Sequence, residues 1–430
     1  MNICVIGAGH VGLVTGACFA DLGHKVVCVD NDTTKIRMLK SGKIPFYEPG
    51  LSDMVKRNYR KKRLAFSTNL KEGVAQSKII FIAVGTPSRE NGDADLSYVE
   101  NVSRSIAQAM RSYRLIVEKS TVPVETGKWV KHTIDTFKKQ NVDFDIASNP
   151  EFLREGSAIE DSQHPDRIVI GVETKRAEKL LLELYRPFRA PIVVTDLNSA
   201  ELIKHASNSF LAAKISFINA VSIICEKVGA DIVEVARGVG LDRRINGSFF
   251  NAGLGFGGPC FPKDLDAFIR IAEKAGYDFK LLKAVQDINE EQKRFLIKKI
   301  EQALWNLTSK SVCILGLSFK PDTDDMRTAP SLDIIAMLKK EGVSVRAYDP
   351  QAAGNAKKLL KGVELCATPY AAAKGCDCLV IVTEWDEFKR LDLAKLKKIM
   401  RQPIIIDGRN LLVPEVVKKA GFKYTGIGRR

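Results

Sequence analysis

The sequence contains no uninterrupted apolar run that approaches the length of a membrane-spanning helix. It also shows no basic leader, because residues 1–7 enter a strand-like apolar run at once. Low-complexity segments and short-period repeats are absent as well. These absences argue against a secreted or integral membrane protein. They predict a cytoplasmic protein that has no membrane association.

The cysteines do not form a recognisable framework. There are nine, an odd number at scattered positions, and their spacing matches neither a disulfide pattern nor a zinc site. Cys376 and Cys378 are separated by one residue, whereas a redox motif has two between its cysteines. We therefore predict reduced thiols and no metal site.

The formal net charge is +15, from 66 basic and 51 acidic residues. The densest basic cluster, residues 56–63, contains a single aromatic residue, Tyr59, and not the repeated aromatic side chains of a surface that stacks nucleic-acid bases. A solvated helix face is the favoured interpretation, and no nucleic-acid partner is predicted. A basic field of this kind does attract small polyanions such as nucleotide diphosphates.

Short β-rich runs alternate with helical patterns at both ends of the chain, which is typical of βαβ units and a parallel sheet. The first group of strands is predicted at residues 3–6, 25–29, 78–84, 115–118, 144–147, 167–170 and 192–195. The second group is predicted at residues 312–315, 343–348, 378–382 and 404–406. Between them, residues 199–228 contain neither proline nor glycine and predict one long helix. The predicted fold is α/β: two Rossmann-like doubly wound domains joined by a long central helix and a helical middle domain.

A dinucleotide-binding pattern occupies the first strand–helix turn. It is G-x-G-x-x-G, placed after strand 3–6 and before an apolar helix, and comprises Gly7, Ala8, Gly9, His10, Val11 and Gly12. These glycines permit a tight turn and close approach of a pyrophosphate to the helix N-terminus. Asp30 ends the next strand, where a carboxylate accepts hydrogen bonds from ribose hydroxyls and repels a 2′-phosphate. The pattern predicts NAD as the cofactor.

Three further loops follow strands of the first group, at the edge where open α/β sheets bind ligands. Thr86 and Thr121 lie in two of them, and each suits either a cofactor or water contact or a simple turn before proline. The third loop carries Glu151 and Glu155, four residues apart after Pro150. This spacing predicts that both carboxylates share one face of a helix start.

A second group of candidate residues lies in the middle of the chain. Lys204 and Asn208 are one helical turn apart, and the spacing leaves two interpretations open: stabilisation of a sugar alkoxide, or a lysine that reaches solvent beside a core stripe. Cys260 follows a glycine-rich stretch and precedes Lys263 and Asp264. Glycines leave a thiol accessible, and a nearby cation favours the nucleophilic thiolate.

A thiolate and NAD are needed together when an aldehyde is oxidised to an acid. The thiol adds to the aldehyde, the thiohemiacetal loses hydride to become a thioester, and water releases the acid. Asp264 and Glu151 are candidate bases for this chemistry.

Motifs along nearly the whole chain resemble the UDP-glucose/GDP-mannose dehydrogenase family of nucleotide-sugar dehydrogenases. The matching motifs are G-A-G-H-V-G, G-T-P, S-T-V-P, N-P-E-F-L-R-E-G, K-x-x-x-N, G-F-G-G-x-C-F-P-K-D and F-K-P-x-T-x-D-x-R. The resemblance implies four-electron oxidation of a nucleotide-linked sugar, UDP-glucose, at C6 from alcohol to carboxylate with two NAD in succession. It also implies an NAD-binding domain at residues 1–196, a central domain with the cysteine loop at 197–300, a UDP-sugar domain at 301–430, and a homodimer through the central helix.

The same resemblance implies roles for individual residues. Cys260 is the implied nucleophile. Asp264, Lys204 and a Thr121-bound water are implied to handle protons, Asn208 to position the sugar oxygen, and Glu151 to activate water. Further implied cofactor contacts are Lys35, Thr86, Thr121, Glu155, Lys263 and Arg327. Implied substrate contacts are Glu151, Phe152, Leu153, Arg154, Glu155, Lys204, Asn208, Arg244, Phe249, Asn251, Gly257, Phe319, Lys320 and Arg409.

Two departures from the family pattern are visible: His10 stands where tyrosine is frequent, and residues 246–254 differ from the usual loop. Two alternatives to a UDP-glucose enzyme remain at this point. One is a sibling enzyme for an N-acetylated or GDP-mannose-type sugar. The other is a basic nucleotide- or nucleic-acid-binding protein without catalysis, which would have no need for Cys260, Lys204 and Asp264.

Overall fold

The computed structural model describes residues 1–429. Their contacts divide the chain into two compact units. The first unit comprises Met1–Ser207 and Asp266–Tyr277, and the second comprises Asn208–Leu265 and the described chain from Asp278 onward.

The first unit is built on an eight-stranded sheet of order β3-β2-β1-β4-β5-β6-β7-β8. Its strands are β1 Asn2–Ile6, β2 Lys25–Val29, β3 Leu64–Ser67, β4 Ile79–Ile82, β5 Arg114–Glu118, β6 Phe144–Ser148, β7 Ile168–Val172 and β8 Ile192–Thr195. All neighbouring strands are parallel except β6 and β7, which run antiparallel. The prediction of a parallel sheet is therefore wrong at this pair, because the β6–β7 connection returns on the same edge without a full crossover.

Helices cover both faces of this sheet. They are α1 His10–Asp21, α2 Thr33–Lys40, α3 Leu51–Arg60, α4 Leu70–Gln76, α5 Ser97–Ala109, α6 Thr126–Phe137, α7 Ala158–Gln163 and α8 Lys175–Tyr185, with a 3₁₀ turn at Arg186–Phe188. Alternate residues of β1 serve the two cores: Ile3 and Val5 pack with one apolar cluster, and Cys4 and Ile6 with the other. Since β1 lies between β2 and β4, the strand order reverses beside it, where α/β sheets bind ligands.

Four long helices form the middle of the chain: α9 Leu197–Val228, α10 Ile232–Gly240, α11 Phe261–Lys274 and α12 Lys280–Leu304. The predicted central helix is confirmed by α9, which starts two residues earlier than expected. By length and composition alone, α9 is apolar enough to cross a membrane, and 44% of its most apolar window is buried inside the protein. Three of its buried polar residues, Glu201, Lys204 and His205, have hydrogen-bond partners within the protein.

The second unit contains a six-stranded sheet of order β11-β10-β9-β12-β13-β14, all parallel. Its strands are β9 Ser311–Leu315, β10 Ser344–Tyr348, β11 Glu364–Leu365, β12 Cys378–Ile381, β13 Ile404–Asp407 and β14 Lys423–Gly426. Its helices are α13 Pro330–Lys340, α14 Ala353–Leu359, α15 Pro369–Ala373, α16 Asp386–Lys389, α17 Leu393–Ile399 and α18 Pro414–Lys419. The predicted class, two Rossmann-like α/β domains with a helical middle, is confirmed.

Candidate functional site

The glycine-rich turn after β1 has the shape that a dinucleotide needs. Gly7 has φ of +103°, and a Cβ there would lie 2.2 Å from the Ala83 carbonyl oxygen. A Cβ on Gly12 would lie 1.9 Å from the Gly7 carbonyl oxygen, so both glycines are required for packing. At Gly9 a Cβ would meet nothing within 4 Å. The open space at Gly9, beside the N-terminus of α1, fits the close approach of a pyrophosphate.

Asp30 stands at the end of β2, beside this turn. Its Oδ2 accepts the Ala8 N–H at 2.8 Å and the Lys35 ammonium at 2.9 Å, and its Oδ1 accepts the Asp32 N–H at 3.0 Å. Burial alone would raise the pKa of Asp30, but these donors hold it below the ordinary value. The group is therefore a carboxylate at neutral pH. A carboxylate has about four lone-pair directions, which leaves capacity for a ribose hydroxyl.

The loops after β4 and β5 are joined through the two predicted threonines. The Thr86 hydroxyl donates to the Thr121 carbonyl oxygen at 2.8 Å. Thr86 is buried, so this hydrogen bond holds the two loops in register. Both interpretations of Thr86 and Thr121, cofactor or water contact and turn before proline, stay predictions.

The residues from Asn149 to Gly156 form a loop, and the predicted helix start at Glu151 is wrong. The next helix begins only at Ala158, because Gly156 has φ of +84° and interrupts helical geometry. Glu151 and Glu155 therefore do not share a helix face. Instead, Glu151 folds back, and its Oε2 accepts the Leu153 N–H at 2.6 Å.

Lys204 and Glu151 form a buried ion pair. Lys204 Nζ donates to Glu151 Oε1 at 3.2 Å, and the two side chains are 4% and 7% exposed. Phe152 lies beside them, with the Lys204 ammonium 5.3 Å and the Arg167 guanidinium 3.6 Å from its ring centroid. Of the two interpretations of Lys204, the one in which it reaches solvent is wrong.

The other two residues of this loop named by the sequence are placed differently. Leu153 is half-buried and packs against the apolar core of the first unit. Arg154 is exposed, and its guanidinium pairs with Asp161. The Arg154 side chain is therefore occupied by an ion pair with Asp161 at the protein surface.

In the second unit, Cys260 is half-buried and immediately precedes α11. Its carbonyl oxygen accepts the Asp264 N–H at 2.8 Å, which closes the first turn of that helix. The positive end of a helix dipole stabilises a thiolate. Asp264 is fully buried; its Oδ2 accepts from Asn208 Nδ2 at 2.6 Å and its Oδ1 from Lys263 Nζ at 2.8 Å. The structure thus brings Asn208, Lys263 and Asp264 together.

The glycines before Cys260 have a packing role that the sequence did not reveal. A Cβ on Gly257 would lie 2.2 Å from the Thr328 carbonyl oxygen, and one on Gly258 would lie 2.6 Å from the Phe319 ring. They allow the cysteine loop to lie directly against the segment after β9.

Most other thiols are buried and have raised pKa values, so they are poor nucleophiles. Burial raises the pKa of Cys18 to about 11 and that of Cys28 to about 12. The pKa values of Cys4, Cys313 and Cys378 are also raised, and burial is the main cause. These groups remain neutral thiols at physiological pH. Cys260 differs from them in being half-buried rather than buried.

The predicted substrate residues of the second unit fall into two sets. Arg409 reaches the cysteine loop, since its Nη1 donates to the Gly255 carbonyl oxygen at 3.1 Å, and Phe319 contacts Gly258. The Lys320 ammonium lies 5.8 Å from the Phe319 ring centroid. The exposed set is Arg244, which pairs with Asp242, and Asn251. Arg327, which the resemblance implies as a cofactor contact, is also exposed and pairs with Asp325. Phe249 is half-buried, with its ring centroid 6.1 Å from that of Phe261.

Sequence reasoning missed several buried polar groups of the first unit. Glu48 binds the loop that follows Glu151, as described below. Lys119 Nζ donates to Asn149 Oδ1 at 3.0 Å, and burial together with the charge of Lys204 lowers the pKa of Lys119 to about 8 although Glu151 opposes the change. His205 Nε2 lies 2.8 Å from the Val122 carbonyl oxygen. The only signal for Lys119 was a charged residue directly after a buried strand.

Glu118 and Glu201 are buried carboxyl groups under the Thr121 loop. Burial raises the pKa of Glu118 to about 8, with repulsion from Glu201 adding to it. Burial also raises the pKa of Glu201 to about 7, although the N–H groups of Gly127 and Glu125 oppose the change. Both groups thus hold protons in the native state that the unfolded chain has already released at neutral pH.

We expect this proton uptake to make the first unit less stable as pH rises from 5 to 7.5. Because both pKa values are raised on folding, their stabilising effect is complete below about pH 4.5 and is lost through the native pKa values. Glu118→Gln should make the free energy of unfolding depend less on pH. Between pH 5 and 7.5 it should lose about 2 kcal/mol less of that free energy than wild type. Urea unfolding at pH 5 and pH 7.5 measures this free energy. The control is Glu72→Gln, at an exposed position, which should show the wild-type dependence on pH. An identical slope in Glu118→Gln would contradict the assignment.

Three family models match successive parts of the chain. They are the NAD-binding domain of the UDP-glucose/GDP-mannose dehydrogenase family at residues 1–189, its central domain at 198–291, and its UDP-binding domain at 313–414. These matches confirm NAD as the cofactor and cover both units. Among residues 1–429, no group of three or more His, Cys, Asp or Glu side chains could hold a metal ion.

Curated relatives agree with the family models. UDP-glucose 6-dehydrogenase TuaD of Bacillus subtilis is 50% identical over 429 residues, which is 100% of this chain and 93% of the relative. UDP-glucose 6-dehydrogenase of Rhizobium meliloti is 47% identical over 436 aligned residues and covers 100% of both chains.

Solved structures show the same likeness. A UDP-glucose dehydrogenase from Pyrobaculum islandicum superposes with a TM-score of 0.94 at 39% identity, covering 100% of this chain and 98% of the other. A UDP-D-ManNAc dehydrogenase from Pyrococcus horikoshii gives a TM-score of 0.88 at 29% identity, covering 100% and 99%. The chain belongs to the UDP-glucose/GDP-mannose dehydrogenase family.

Proposed function

We propose that this enzyme oxidises UDP-glucose at C6 to UDP-glucuronate, with two NAD reduced for each sugar. The observation that carries the proposal is the half-buried Cys260 at the start of α11, next to the Asn208–Asp264 hydrogen bond, in a chain that also has the NAD-binding turn. A simple alcohol dehydrogenase does not require a nucleophilic thiol. The choice of UDP-glucose is supported by curated relatives of that activity at 44–50% identity over the full chain.

NAD, when bound, accepts the hydride in each of the two oxidations. The chain's own residues would hold it: Gly9 leaves room for the pyrophosphate, Asp30 accepts from a ribose, and Lys35, Thr86, Glu155, Lys263 and Arg327 are further contacts implied by the family. In the first oxidation, a proton leaves the C6 hydroxyl as hydride leaves carbon. Lys204 and Asn208, one turn apart on α9, are the groups proposed to stabilise the developing alkoxide, with a Thr121-bound water as proton carrier.

In the second half of the reaction, the Cys260 thiolate adds to the aldehyde carbon. A C–S bond forms, and the carbonyl oxygen takes a proton to give a thiohemiacetal. Loss of that proton and of a hydride from carbon restores the carbonyl as a thioester. Asp264, held by Asn208 and Lys263, is the proposed proton acceptor.

Hydrolysis completes the cycle. Glu151 is proposed to remove a proton from water as that water attacks the thioester carbon. The C–S bond then breaks, Cys260 leaves as thiolate, and the product is a carboxylate. Proposed contacts for the UDP-sugar are the loop residues 151–155, Arg244, Phe249, Asn251, Gly257, Phe319, Lys320 and Arg409.

We also propose a cytoplasmic homodimer that pairs through α9. Support comes from three apolar side chains at intervals of seven residues, Phe210, Phe217 and Ile224, which are 68%, 57% and 57% exposed. Residues seven apart lie on one helix face, and such a stripe is costly to leave in water. The boundaries 1–196, 197–300 and 301–430 stay a prediction for the three domains.

Counting NADH against sugar tests the proposed reaction. With UDP-glucose limiting and NAD in excess, we expect two NADH for each UDP-glucose consumed, and UDP-glucuronate as the product. One NADH per sugar would indicate a simple alcohol oxidation and contradict the proposal. Turnover of UDP-N-acetylhexosamine or GDP-mannose, with none of UDP-glucose, would show that the enzyme is a dehydrogenase of another nucleotide sugar.

A further inference from the structure

Glu48 lies in the segment between α2 and α3 and is buried, with 6% of its surface exposed. Its two carboxylate oxygens accept two backbone N–H groups: Oε2 that of Gly156 and Oε1 that of Ala158, each at 2.8 Å. These residues end the loop that carries Glu151 and Glu155. Glu48 thus anchors that loop from a part of the chain more than 100 residues away in sequence.

The same carboxylate faces the dinucleotide turn. His10, the first residue of α1, has its Nε2 3.8 Å from Glu48 Oε2 and its Nδ1 3.7 Å from Glu155 Oε1. Its ring stacks on Phe46 at a centroid distance of 3.7 Å, which fixes the imidazole between the two acids. At these distances the contacts are longer than direct hydrogen bonds, and they are ion pairs when the ring is protonated.

The charges around His10 favour the imidazolium form. Two carboxylates, Glu48 from the α2–α3 segment and Glu155 from the loop after β6, face the two ring nitrogens. Asp30, directly after the neighbouring strand β2, binds the Ala8 N–H and is paired with Lys35. A cation within 4–6 Å of a carboxylate is stabilised. The positive end of the α1 dipole works against the imidazolium, and the two facing carboxylates offset this effect. Once formed, the imidazolium adds positive charge where the helix N-terminus attracts a pyrophosphate.

We propose that Glu48 is a positioning residue for NAD binding, which anchors the loop of residues 151–158 and holds His10 protonated at the pyrophosphate end of the cofactor site. This role rests on NAD lying at the Gly7–Gly12 turn. NAD binding is then coupled to a proton: affinity falls as pH rises and His10 loses its charge. A tyrosine at position 10, frequent in the family, cannot carry this charge.

The test measures the dissociation constant of NAD by calorimetry, without sugar, at pH 6 and pH 8.5. Wild type should bind more weakly at the higher pH. Glu48→Gln should raise the constant about tenfold at pH 6, because one anchor and the charge facing His10 are lost, and should reduce the pH effect. His10→Gln should bind with little dependence on pH between these values.

Asp145→Asn is the matched control. Asp145 is also buried in the first unit and holds Tyr113 and Arg176, each at 2.8 Å, near the start of β6 and so at the opposite end of that strand from the loop. It should lower thermal stability and leave NAD affinity and its pH dependence as in wild type.

Four results would overturn the proposal: no pH dependence in wild type, wild-type affinity in Glu48→Gln, an equal loss in Glu48→Gln and Asp145→Asn, or an unchanged pH effect in His10→Gln. His10→Gln decides the matter alone if Glu48→Gln does not fold. Failure of wild type to bind NAD at either pH would overturn the placement of NAD itself. An enzyme that binds NAD as expected and yields one NADH per sugar would contradict the proposed reaction alone.

Discussion

Cys260→Ala should abolish formation of UDP-glucuronate, with a rate loss of at least about a thousand-fold, while NAD still binds. Without the thiolate no C–S bond forms, so the thioester that precedes the acid cannot form. The first oxidation does not need the thiol, and any remaining turnover should stop at the aldehyde. Product analysis by mass spectrometry, together with NADH counting, measures both effects.

Cys366→Ala is the matched control for this variant. Cys366 is the other half-buried thiol of the second unit and lies after β11, with Arg346 Nη2 3.9 Å from its sulfur. It should retain wild-type turnover. Alkylation by iodoacetamide should inactivate wild type and Cys366→Ala alike, in step with labelling of Cys260. Full acid formation by Cys260→Ala would remove the covalent mechanism.

The parts of the fold that the sequence predicted are those where local pattern and tertiary structure agree. The β1–α1 turn was recognisable because its glycines are required by contacts only a few residues away or on the adjacent strand, such as Gly12 with Gly7. The strands that were missed, β3, β11 and β14, are short or partly polar edge strands. Such segments become strands mainly through pairing with a neighbour, which one sequence does not reveal.

The candidate site was predicted in its residue types and less well in its geometry. Glu151 and Glu155 were placed on a helix from their spacing, whereas the positive φ of Gly156 and the anchoring carboxylate of Glu48 make this segment a loop. Glu48 is distant in sequence and belongs to no spacing pattern, so its role follows only from the fold. The same holds for Lys119 and Glu201, whose importance lies in being buried together with other charges.

Glu151→Gln should stop the reaction at the thioester, after the second oxidation, whereas Cys260→Ala stops it at the aldehyde. The amide still offers an oxygen to Lys204 Nζ, which Glu151 Oε1 now accepts at 3.2 Å, so the buried ammonium keeps an acceptor. The amide cannot remove a proton from water, and loss of a general base costs about 10²–10⁴-fold. Hydrolysis should therefore become rate-limiting, and the thioester should accumulate on Cys260.

Rapid mixing with UDP-glucose and NAD should show a burst of two NADH per active site followed by slow turnover. Intact-protein mass spectrometry after acid quench should show the uronyl adduct, and Cys260→Ala/Glu151→Gln should show neither burst nor adduct. Glu160→Gln, on the exposed side of α7 near the same loop, should behave as wild type. A slow variant without a burst or adduct would place the role of Glu151 before the thioester, in holding Lys204 for the first oxidation. The burst and the adduct therefore separate its role as a base for water from its role as a partner for Lys204.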